Sequence, residues 1–579
     1  MTQENIRRGQ KELIDARRRS RRLYWAVAVF SICINFLMLT GPLFMLQVYD
    51  RVLGSGSEAT LAALFTIVAF LFLMMGLLDG TRARILSLIA ARFQDTLENR
   101  VFHASMSRAA ANPRESRKSR ALDSLMSIRR LIGSPVLAAV YDLPFTPVFL
   151  FGIAVFHPYL GALALFGGGA IVTVALLNRA ASAPLRNAAL IAESEAAQAG
   201  ARATTAAESL RALGMEDAAY KRWLLMRQTA LETAVRGEDV TMRYAATSRA
   251  LRLFLQSAML ALGAWLVLQH TLSPGAMIAS SILLGRALQP IDHLVGQWQL
   301  VQNARTSWSD LAELLGTYPP LPVRTELPRP KAALSVNQLS VVPPGQASAA
   351  LRMISFDLAP GEAMGVIGPS GAGKSTLARA LTGVWPAASG TVRLDGAKLG
   401  HYSPEALGAH IGYLPQQVHL FDGTIAENIA KLALKPDSAA VINAAKKADA
   451  HEMILALPDG YDTLVSSAGG LLSGGQLQRI GLARAFYGAP VIVILDEPNS
   501  NLDHPGSQAL NAAIRRHKAE GGAVLIMAHR PSAIQECEKL LVLDGGMRRA
   551  FGPRDQVLSE IVKNSKDILK QASDEGGDK

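Results

Sequence analysis

Long uncharged hydrophobic stretches fill much of the first half of the chain, whereas the second half mixes apolar and polar positions as soluble domains do. About six of these stretches approach twenty residues, the length that crosses a bilayer as a helix. They lie near residues 23–48, 61–78, 136–156, 159–177, 251–268 and 274–294. Buried core helices of a large soluble protein are the alternative, but they do not explain basic flanks on alternate sides. The pattern therefore predicts a helical membrane domain followed by a soluble domain.

Basic residues are distributed unevenly around these spans. They crowd segment 1–22 and the two long connections at 79–135 and 178–249, whereas the connections at 50–57 and 157–158 are short. Positive charge is retained on the cytoplasmic side of a membrane protein. We therefore expect a cytoplasmic N-terminus, two long cytoplasmic helical loops and three short outer loops.

Composition adds two exclusions. The net charge of +12 raises the question of nucleic acid, but arginines beside apolar spans are typical of the inner face of a membrane protein, so we expect no nucleic-acid partner. The chain has two cysteines, Cys33 in an apolar span and Cys537 near the end. They predict neither a disulfide framework nor a zinc site.

Charged residues inside the spans need an explanation, because they are costly in lipid. Asp142 lies near Pro144 and Pro147, and Arg286 lies in the sixth stretch. One interpretation is that both border a transport path. The other is that they pair to hold helices together or reach an interface, and the sequence leaves both open.

A glycine-rich stretch follows an apolar run at 363–367 and precedes a helix-like run at 377–381. In this P-loop context, backbone N–H groups and a helix N-terminus point at phosphates. Lys374 is expected to reach the phosphates and the Ser375 hydroxyl to bind Mg²⁺. A chance glycine-rich turn is the alternative, and the flanking strand and helix argue against it. The predicted ATP-binding residues are Gly368, Pro369, Ser370, Gly371, Ala372, Gly373, Lys374, Ser375 and Thr376.

The apolar run 491–495 ends in two carboxylates. An Asp at the end of a buried parallel strand can hold Mg²⁺, and the next carboxylate can act as base for the attacking water, so we assign Asp496 to the metal and Glu497 to the base. His529 follows a second apolar run and is expected near the γ-phosphate, and Gln416 is expected to contact Mg²⁺ or water. Taken alone, a histidine or glutamine at such a position is more often structural.

Residues Leu472, Ser473, Gly474, Gly475 and Gln476 precede Gln478 and Arg479. With the preceding motifs, this run resembles the signature of the ATP-binding-cassette (ABC) family. Nearly the whole chain resembles an ABC exporter half-transporter, in which an all-α six-helix transmembrane domain precedes an α/β P-loop nucleotide-binding domain. The resemblance implies that Ser473, Gly474, Gly475 and Gln476 contact ATP held by the opposite subunit of a homodimer. It also implies that Asp503 communicates between the two sites.

Stretches at 45–53, 142–147, 275–288 and 496–503 resemble the type I secretion permease/ATPases of the PrtD kind. The resemblance implies ATP-driven export of unfolded proteins that carry an uncleaved C-terminal secretion signal. It further implies a bacterial inner-membrane location with the nucleotide-binding domain in the cytoplasm. The implied partners are a periplasmic membrane-fusion protein and an outer-membrane channel protein. Segments 211–216 and 113–120 resemble coupling regions that dock on the partner's cassette.

The prolines between Pro319 and Pro330 mark an extended, helix-breaking segment. We therefore expect a basic N-terminal segment at 1–22, the transmembrane domain at 23–317, a linker at 318–331, the nucleotide-binding domain at 332–562 and a charged tail at 563–579.

Three departures from the family pattern stand out. Residues 341–344 are Val-Val-Pro-Pro where most cassettes place an aromatic residue against adenine, and Ser467 replaces a common glutamate before the signature. No peptidase domain precedes the first span, so we expect no leader-peptide cleavage.

Two alternatives differ in class. An ABC exporter of lipids or small amphipathic molecules would share the cassette residues, and a soluble ABC ATPase acting in DNA repair or translation is disfavoured by the spans.

Overall fold

The computed structural model describes residues 3–111, 121–320, 324, 327–466, 472–528 and 531–560. Three positions singled out from the sequence, His529, Ser467 and segment 113–120, lie outside these residues. The chain forms two compact units, one of residues 1–105 and 119–319 and the other of residues 106–118 and 320–579. Each unit is described by itself.

The first unit is helical. Its longest helices run without interruption from the predicted spans into the predicted loops, because helical hydrogen bonding continues where apolar side chains give way to charged ones. The helices are Gln3–Arg18, Arg21–Leu37, Thr40–Gln47, Leu53–Ser55, Glu58–Ala111, Ala121–Ile132, Pro135–Asp142, Thr146–Phe156, Pro158–Thr205, Ala207–Ala212, Glu216–Leu268, Pro274–Gly296 and Trp298–Thr317, with a π-helical turn at Val48–Val52 and a 3₁₀ turn at Leu143–Phe145.

Five helical stretches of the described residues are long and apolar enough to cross a membrane: Arg21–Ser55, Glu58–Ala111, Pro135–Phe156, Pro158–Thr205 and Glu216–Leu268. The sixth predicted stretch forms the helix Pro274–Gly296, which is outside this set and carries Arg286 and Asp292. Ala279, Ser280 and Ala287 of this helix are fully buried. A helix surrounded by protein on much of its surface needs less apolar character than one that faces lipid.

Helix Pro274–Gly296 begins at a cap shared with the first span. The Ser273 hydroxyl accepts the Ala276 N–H at 3.1 Å and donates to Asp50 at 2.6 Å, and the Gly275 N–H donates to Asp50 at 2.8 Å. A carboxylate is favourable here because helix N-termini carry unpaired N–H groups and positive potential. A Cβ at Gly275 would lie 2.6 Å from an Asp50 carboxylate oxygen, so a larger residue there would have to displace the Asp50 side chain from the cap.

The second unit is an α/β domain. Its strands are β1 (Leu334–Val341), β2 (Leu351–Leu358), β3 (Ala363–Ile367), β4 (Ser389–Leu394), β5 (Ala397–Lys398), β6 (Ile411–Leu414), β7 (Gly423–Thr424), β8 (Leu464–Val465), β9 (Ile492–Asp496), β10 (Ala523–Met527), β11 (Lys539–Asp544) and β12 (Met547–Pro553). They form a six-stranded sheet in the order β12-β11-β3-β10-β9-β6, an antiparallel sheet β2-β1-β4-β5 and the pair β7-β8. The helices are Lys374–Leu381, Pro404–His410, Ile425–Ile429, Ser438–Lys447, His451–Leu455, Gly474–Phe486 and His504–Ala519.

The central strands of the six-stranded sheet are buried on both faces. Every residue of β9 and β10 is buried, and alternate residues enter two different apolar clusters, Val493 and Leu495 on one face and Ile492 and Ile494 on the other. Burial on both faces explains why these strands are nearly continuous apolar runs without polar alternation.

The register of the sheet determines where the site forms. Met527 of β10 lies opposite Val366 of β3 on one side and opposite Asp496 of β9 on the other, and all three strands are parallel. In β6, Leu414 lies opposite Leu495. Four strands therefore end at one edge of the sheet, and the segments that follow them meet there.

Candidate ATP site

The loop between β3 and helix Lys374–Leu381 curls because of its glycines. Gly371 has a φ of 80° and Gly373 a φ of 101°, in the left-handed region that favours glycine. A Cβ at Gly373 would also lie 2.7 Å from the Leu351 side chain and 3.0 Å from the Ala350 carbonyl oxygen. Glycine therefore supplies the backbone dihedral angles of this loop at Gly371 and Gly373. At Gly373, just before the helix begins, it also leaves the space that a side chain would fill.

Lys374 is folded back over this loop. Its Nζ donates to the carbonyl oxygens of Gly368 at 2.8 Å and Pro369 at 2.9 Å, and the residue is 5% exposed. Burial lowers the pKa of Lys374, and the charges of Glu497 and Asp496 act in the opposite direction. The ammonium group is therefore held beside both predicted catalytic carboxylates, where phosphate oxygens could replace the two carbonyl groups as acceptors.

Asp496 is the last residue of β9 and is 2% exposed. Burial raises the pKa of Asp496, and a hydrogen bond with Ser375 opposes that change. Its Oδ1 atom is buried without a hydrogen-bond partner. A carboxylate with one free oxygen beside a serine hydroxyl fits Mg²⁺, which binds hard oxygen ligands and takes its remaining ligands from water and phosphate. Within the described residues no group of three or more His, Cys, Asp or Glu side chains is arranged to hold a metal, so Asp496 and Ser375 are the metal-binding candidates.

Glu497 adopts an unusual backbone conformation for a non-glycine residue. Its φ is 53°, and its N–H donates to the Met527 carbonyl oxygen of β10 at 3.0 Å. The Nε2 atom of Gln416 donates to its Oε2 atom at 3.1 Å. A left-handed non-glycine residue costs about 1–3 kcal/mol and persists when its surroundings hold it in place. The backbone bond to β10 and the side-chain bond from Gln416 supply that restraint.

The signature residues start the helix Gly474–Phe486. Ser473 caps this helix: its hydroxyl accepts the Gln476 N–H at 3.3 Å, and the Gln476 side chain accepts the Ser473 N–H at 2.8 Å. One turn later, Arg479 donates to Asp503 at 3.1 Å. A Cβ at Gly475 would lie 3.0 Å from the Asn501 carbonyl oxygen. The signature and the segment around Asp503 are therefore packed as one structural element.

Asp503 has a second role as a cap. It accepts the Gly506 N–H at 2.9 Å at the start of helix His504–Ala519. This hydrogen bond, assisted by Arg479, lowers the pKa of Asp503. The carboxylate is therefore anchored by a cap and an ion pair, which fixes its position beside the signature helix.

Sequence reasoning assigned no role to Asn499. This residue is 6% exposed, and neither its Nδ2 nor its Oδ1 atom has a hydrogen-bond partner. It lines a small cavity of about 130 Å³ together with Glu497 and Ala528. In the sequence, Asn499 is recognisable only as an amide two residues after the predicted base Glu497. That it is buried depends on packing, which the local pattern does not reveal. An unpaired buried amide at this point makes Asn499 a candidate for holding a water beside Glu497.

In the helical unit, Asp142 and Arg286 do not form the pair that one interpretation allowed. Asp142 accepts hydrogen bonds from Arg82 and from Asn35, both at 2.8 Å, and Arg286 donates to Gln289 at 3.2 Å. Arg82, within the basic segment 79–135, is buried, with an exposure of 7%. Asp142 therefore holds helices together through an ion pair, as one interpretation predicted, but its partner is Arg82 and not Arg286.

Segment 211–216, which resembles a coupling region, forms an exposed turn. Helix Ala207–Ala212 ends there, Gly214 has a φ of 64°, and helix Glu216–Leu268 follows. Leu213 is 71% exposed. A turn with an exposed apolar side chain is suited to docking.

The sequence matches two family descriptions: ABC transporter transmembrane region over residues 24–290 and ABC transporter over residues 351–500. The fold is similar to a solved structure of a bacterial Atm1-family ABC exporter with ATP bound, with a TM-score of 0.78 and 22% identity, covering 96% of this chain and 98% of the other. That likeness concerns the fold.

Two curated relatives separate the candidate functions. The type I secretion system ATP-binding protein PrsD of Rhizobium meliloti is 40% identical over 556 residues, which cover 95% of this chain and 94% of PrsD. An ATP-dependent lipid A-core flippase of Alkalilimnicola ehrlichii is 34% identical over 295 residues, half of each chain. The likeness to the secretion protein includes the membrane unit as well as the cassette. The chain therefore belongs to the ABC transporter family, among the type I secretion ATP-binding proteins, whose ATPase domain couples ATP hydrolysis to transport.

Proposed function

We propose that this protein is the inner-membrane transporter of a type I secretion system and exports unfolded polypeptides that carry a C-terminal secretion signal. The observation that supports this best is the nearly end-to-end likeness to a type I secretion ATP-binding protein, which covers the membrane unit as well as the ATPase. A lipid or small-amphiphile exporter is the alternative, and its support is a match over half the chain.

Two copies form the working transporter in this proposal. One chain supplies one membrane unit and one cassette, and a closed two-fold dimer is the simplest assembly that completes an exporter. Ser473, Gly474, Gly475 and Gln476 of one copy contact ATP bound by the other, and Asp503 links the two sites. A periplasmic membrane-fusion protein and an outer-membrane channel protein continue the path to the outside.

Each residue of the site has a role in this proposal. The loop 368–376 and Lys374 hold the phosphates, while Ser375, Asp496 and Gln416 hold Mg²⁺, which neutralises phosphate charge when bound. Glu497 orients and deprotonates the attacking water, and its hydrogen bond from Gln416 keeps the carboxylate directed at the site. His529 contacts the γ-phosphate. Closure of the two cassettes around ATP drives the helical units between two states.

The test is the ATPase rate of the purified full-length chain in nanodiscs, measured with C-terminal peptides of candidate secreted proteins. Scrambled peptides are the matched control, and the Glu497→Gln variant gives the background rate. A saturable change with the native peptide and none with its scrambled version would support polypeptide export. Stimulation by lipids or amphiphiles, with no response to any peptide, would favour the alternative.

A further inference from the structure

A cavity of about 630 Å³ lies inside the helical unit, between helices Pro158–Thr205, Glu216–Leu268 and Pro274–Gly296 and the start of Trp298–Thr317. We call it the arginine cavity. On the first of these helices the sequence is uncharged up to Asn178, and on the second it is uncharged after Arg252. Both changes occur at the cavity, which therefore lies at the depth where a bilayer passes from hydrocarbon to headgroups.

The lining of the arginine cavity is strongly cationic. Four arginines line it, Arg179, Arg186, Arg249 and Arg252, and Asp292 is the one acidic residue in the described lining. Asp292 accepts a 2.6 Å ion pair from Arg252 and so neutralises only that arginine. The guanidinium of Arg179 lies 4.5 Å from the centre of the Trp298 ring. The remaining positive charge favours an anionic ligand.

Unpaired polar atoms are concentrated at the same place. Of the twelve buried side-chain polar atoms without hydrogen-bond partners among the described residues, four belong to residues of this lining: Asn178 Oδ1, Arg186 Nε, Trp298 Nε1 and Gln299 Oε1. A buried polar atom without a hydrogen-bond partner destabilises the structure unless a ligand bonds it. The two N–H groups suit the oxygens of a phosphate, and the two amide oxygens suit hydroxyl donors.

One part of the remaining lining is apolar, although Thr241, Tyr244 and Ser248 add hydroxyl groups elsewhere. Leu143, Val172, Leu176 and Ile291 contribute to it, and Leu176 is 58% exposed. An apolar wall continuous with the surface of a membrane helix can accommodate an acyl chain, whereas a free phosphate or an entirely polar anion would leave it unused.

We propose that the arginine cavity binds the headgroup of an anionic phospholipid, a phosphodiester that bears hydroxyl groups, as in phosphatidylglycerol. Arg186 and Trp298 donate to the phosphate, Asn178 and Gln299 accept from the headgroup hydroxyls, and the acyl chains lie along the Leu176 side. The lipid is a resident ligand and not the cargo, so this inference goes beyond the proposed export function and does not depend on it.

Native mass spectrometry of the full-length chain tests the proposal. The protein is stripped of lipid in neutral detergent and titrated with phosphatidylglycerol or phosphatidylcholine. The wild type should retain about tenfold more of the anionic lipid, and Arg179→Gln/Arg186→Gln should lose that preference because both guanidinium groups are removed. Arg179→Lys/Arg186→Lys should keep part of it, since the charge remains. Arg243→Gln is the control, because Arg243 is exposed on helix Glu216–Leu268, another helix of the cavity wall, and does not itself line the cavity.

Trp298→Phe provides a second variant that keeps the ring beside Arg179 and removes one donor, and it should weaken retention about threefold to tenfold. Equal retention of the two lipids by the wild type would overturn the proposal. Retention of phosphatidylglycerol that is unchanged in both Arg179→Gln/Arg186→Gln and Trp298→Phe would also overturn it. Displacement of the lipid by millimolar inorganic phosphate would assign the site to a free anion instead. Displacement by a C-terminal peptide of the cargo would assign it to the cargo. Because lipid retention and not transport is measured, either result leaves the export proposal to its own test.

Discussion

Glu497 is held in place by its main chain as well as by its side chain. Its left-handed backbone, bonded to β10, turns the chain immediately after Asp496 and presents two successive carboxylates at one strand end. In an ordinary extended strand, successive side chains point to opposite faces. The strained residue therefore allows the proposed metal-binding carboxylate and the proposed base to serve the same site.

We expect Glu497→Gln to lower the ATPase rate by about 10²-fold or more while ATP binding persists, because the amide cannot accept the proton of the attacking water. The measurement is phosphate release together with retention of labelled ATP. Glu452→Gln, on an exposed residue of the same domain, is the control. A variant that still turns over ATP at the wild-type rate would remove Glu497 from the role of base.

His517 predicts a pH dependence of stability. It is buried against the Phe486 ring, with centroids 5.8 Å apart, and burial lowers the pKa of His517 below its ordinary value of 6.5, with Lys447 acting in the same direction and Glu520 against it. The unfolded chain therefore binds more protons than the folded chain in this range, so stability rises with pH. We expect the His517 contribution to be complete above about pH 6.5 and to be lost progressively as the pH falls below it.

The test compares thermal unfolding of the wild type and His517→Leu between pH 5.5 and 7.5, in steps of about half a unit. The variant should unfold at a lower temperature at neutral pH and show a flatter pH dependence. His401→Leu, on an exposed histidine, should retain the wild-type slope. Equal slopes in wild type and His517→Leu would exclude His517 as the source.

At the scale of elements, a buried ion pair joins three helices of the membrane unit. Arg82 on Glu58–Ala111 donates to Asp142 on Pro135–Asp142 at 2.8 Å and to Ser31 on Arg21–Leu37 at 3.0 Å. Removal of one partner leaves a buried charge without compensation, which costs about 3–5 kcal/mol. We therefore expect Arg82→Met to unfold at a clearly lower temperature in detergent.

The double variant Arg82→Met/Asp142→Leu should recover much of that loss, because no unpaired buried charge is left; Asp79, the other carboxylate bonded to Arg82, is exposed to solvent. Arg84→Met, two residues away and exposed on the same helix, should change stability by less than about 0.5 kcal/mol. If Arg82→Met and the double variant were equally unstable, packing and not charge compensation would explain the cluster.

At the scale of the whole molecule, the proposed homodimer predicts complementation between two inactive variants. Lys374→Ala removes the lysine proposed to bind phosphate, and Ser473→Arg blocks the signature, so each variant alone should lack both sites. A mixed dimer contains one intact site, formed by the P-loop of one variant and the signature of the other. Random mixing should restore about one quarter of the wild-type ATPase rate if the sites act independently.

The same mixture in a Glu497→Gln background should retain one ATP per mixed dimer. This retained ATP reveals an intact site even if hydrolysis requires two intact sites. Co-purification through two different tags selects the mixed species. Mixed dimers that neither hydrolyse nor retain ATP would contradict sites shared between subunits.

Much of the ATP site could be predicted from the sequence because its residues are adjacent in short segments. Lys374 and Ser375 follow glycines at fixed spacing, and Asp496 and Glu497 follow a strand that its apolar run identifies. The membrane spans are equally local, since about twenty uncharged residues are sufficient for crossing. The secretion family was also recognisable from contiguous motifs, and the comparison with PrsD confirmed it.

Contacts between distant segments were decided by the tertiary structure alone. Asp142 pairs with Arg82, 60 residues earlier, because three helices come together in that order; charge counting along the chain could not select this arginine over its neighbours. The sequence likewise did not reveal the unpaired amide of Asn499 or the arginine cavity. Burial and unpaired polar atoms arise only where several elements meet. The sequence by itself determined the ABC transporter family and the order of an apolar helical region before a cassette, through local pattern and hydrophobicity. Packing determined which charged groups lie together, because desolvation and ion pairing depend on neighbours in space.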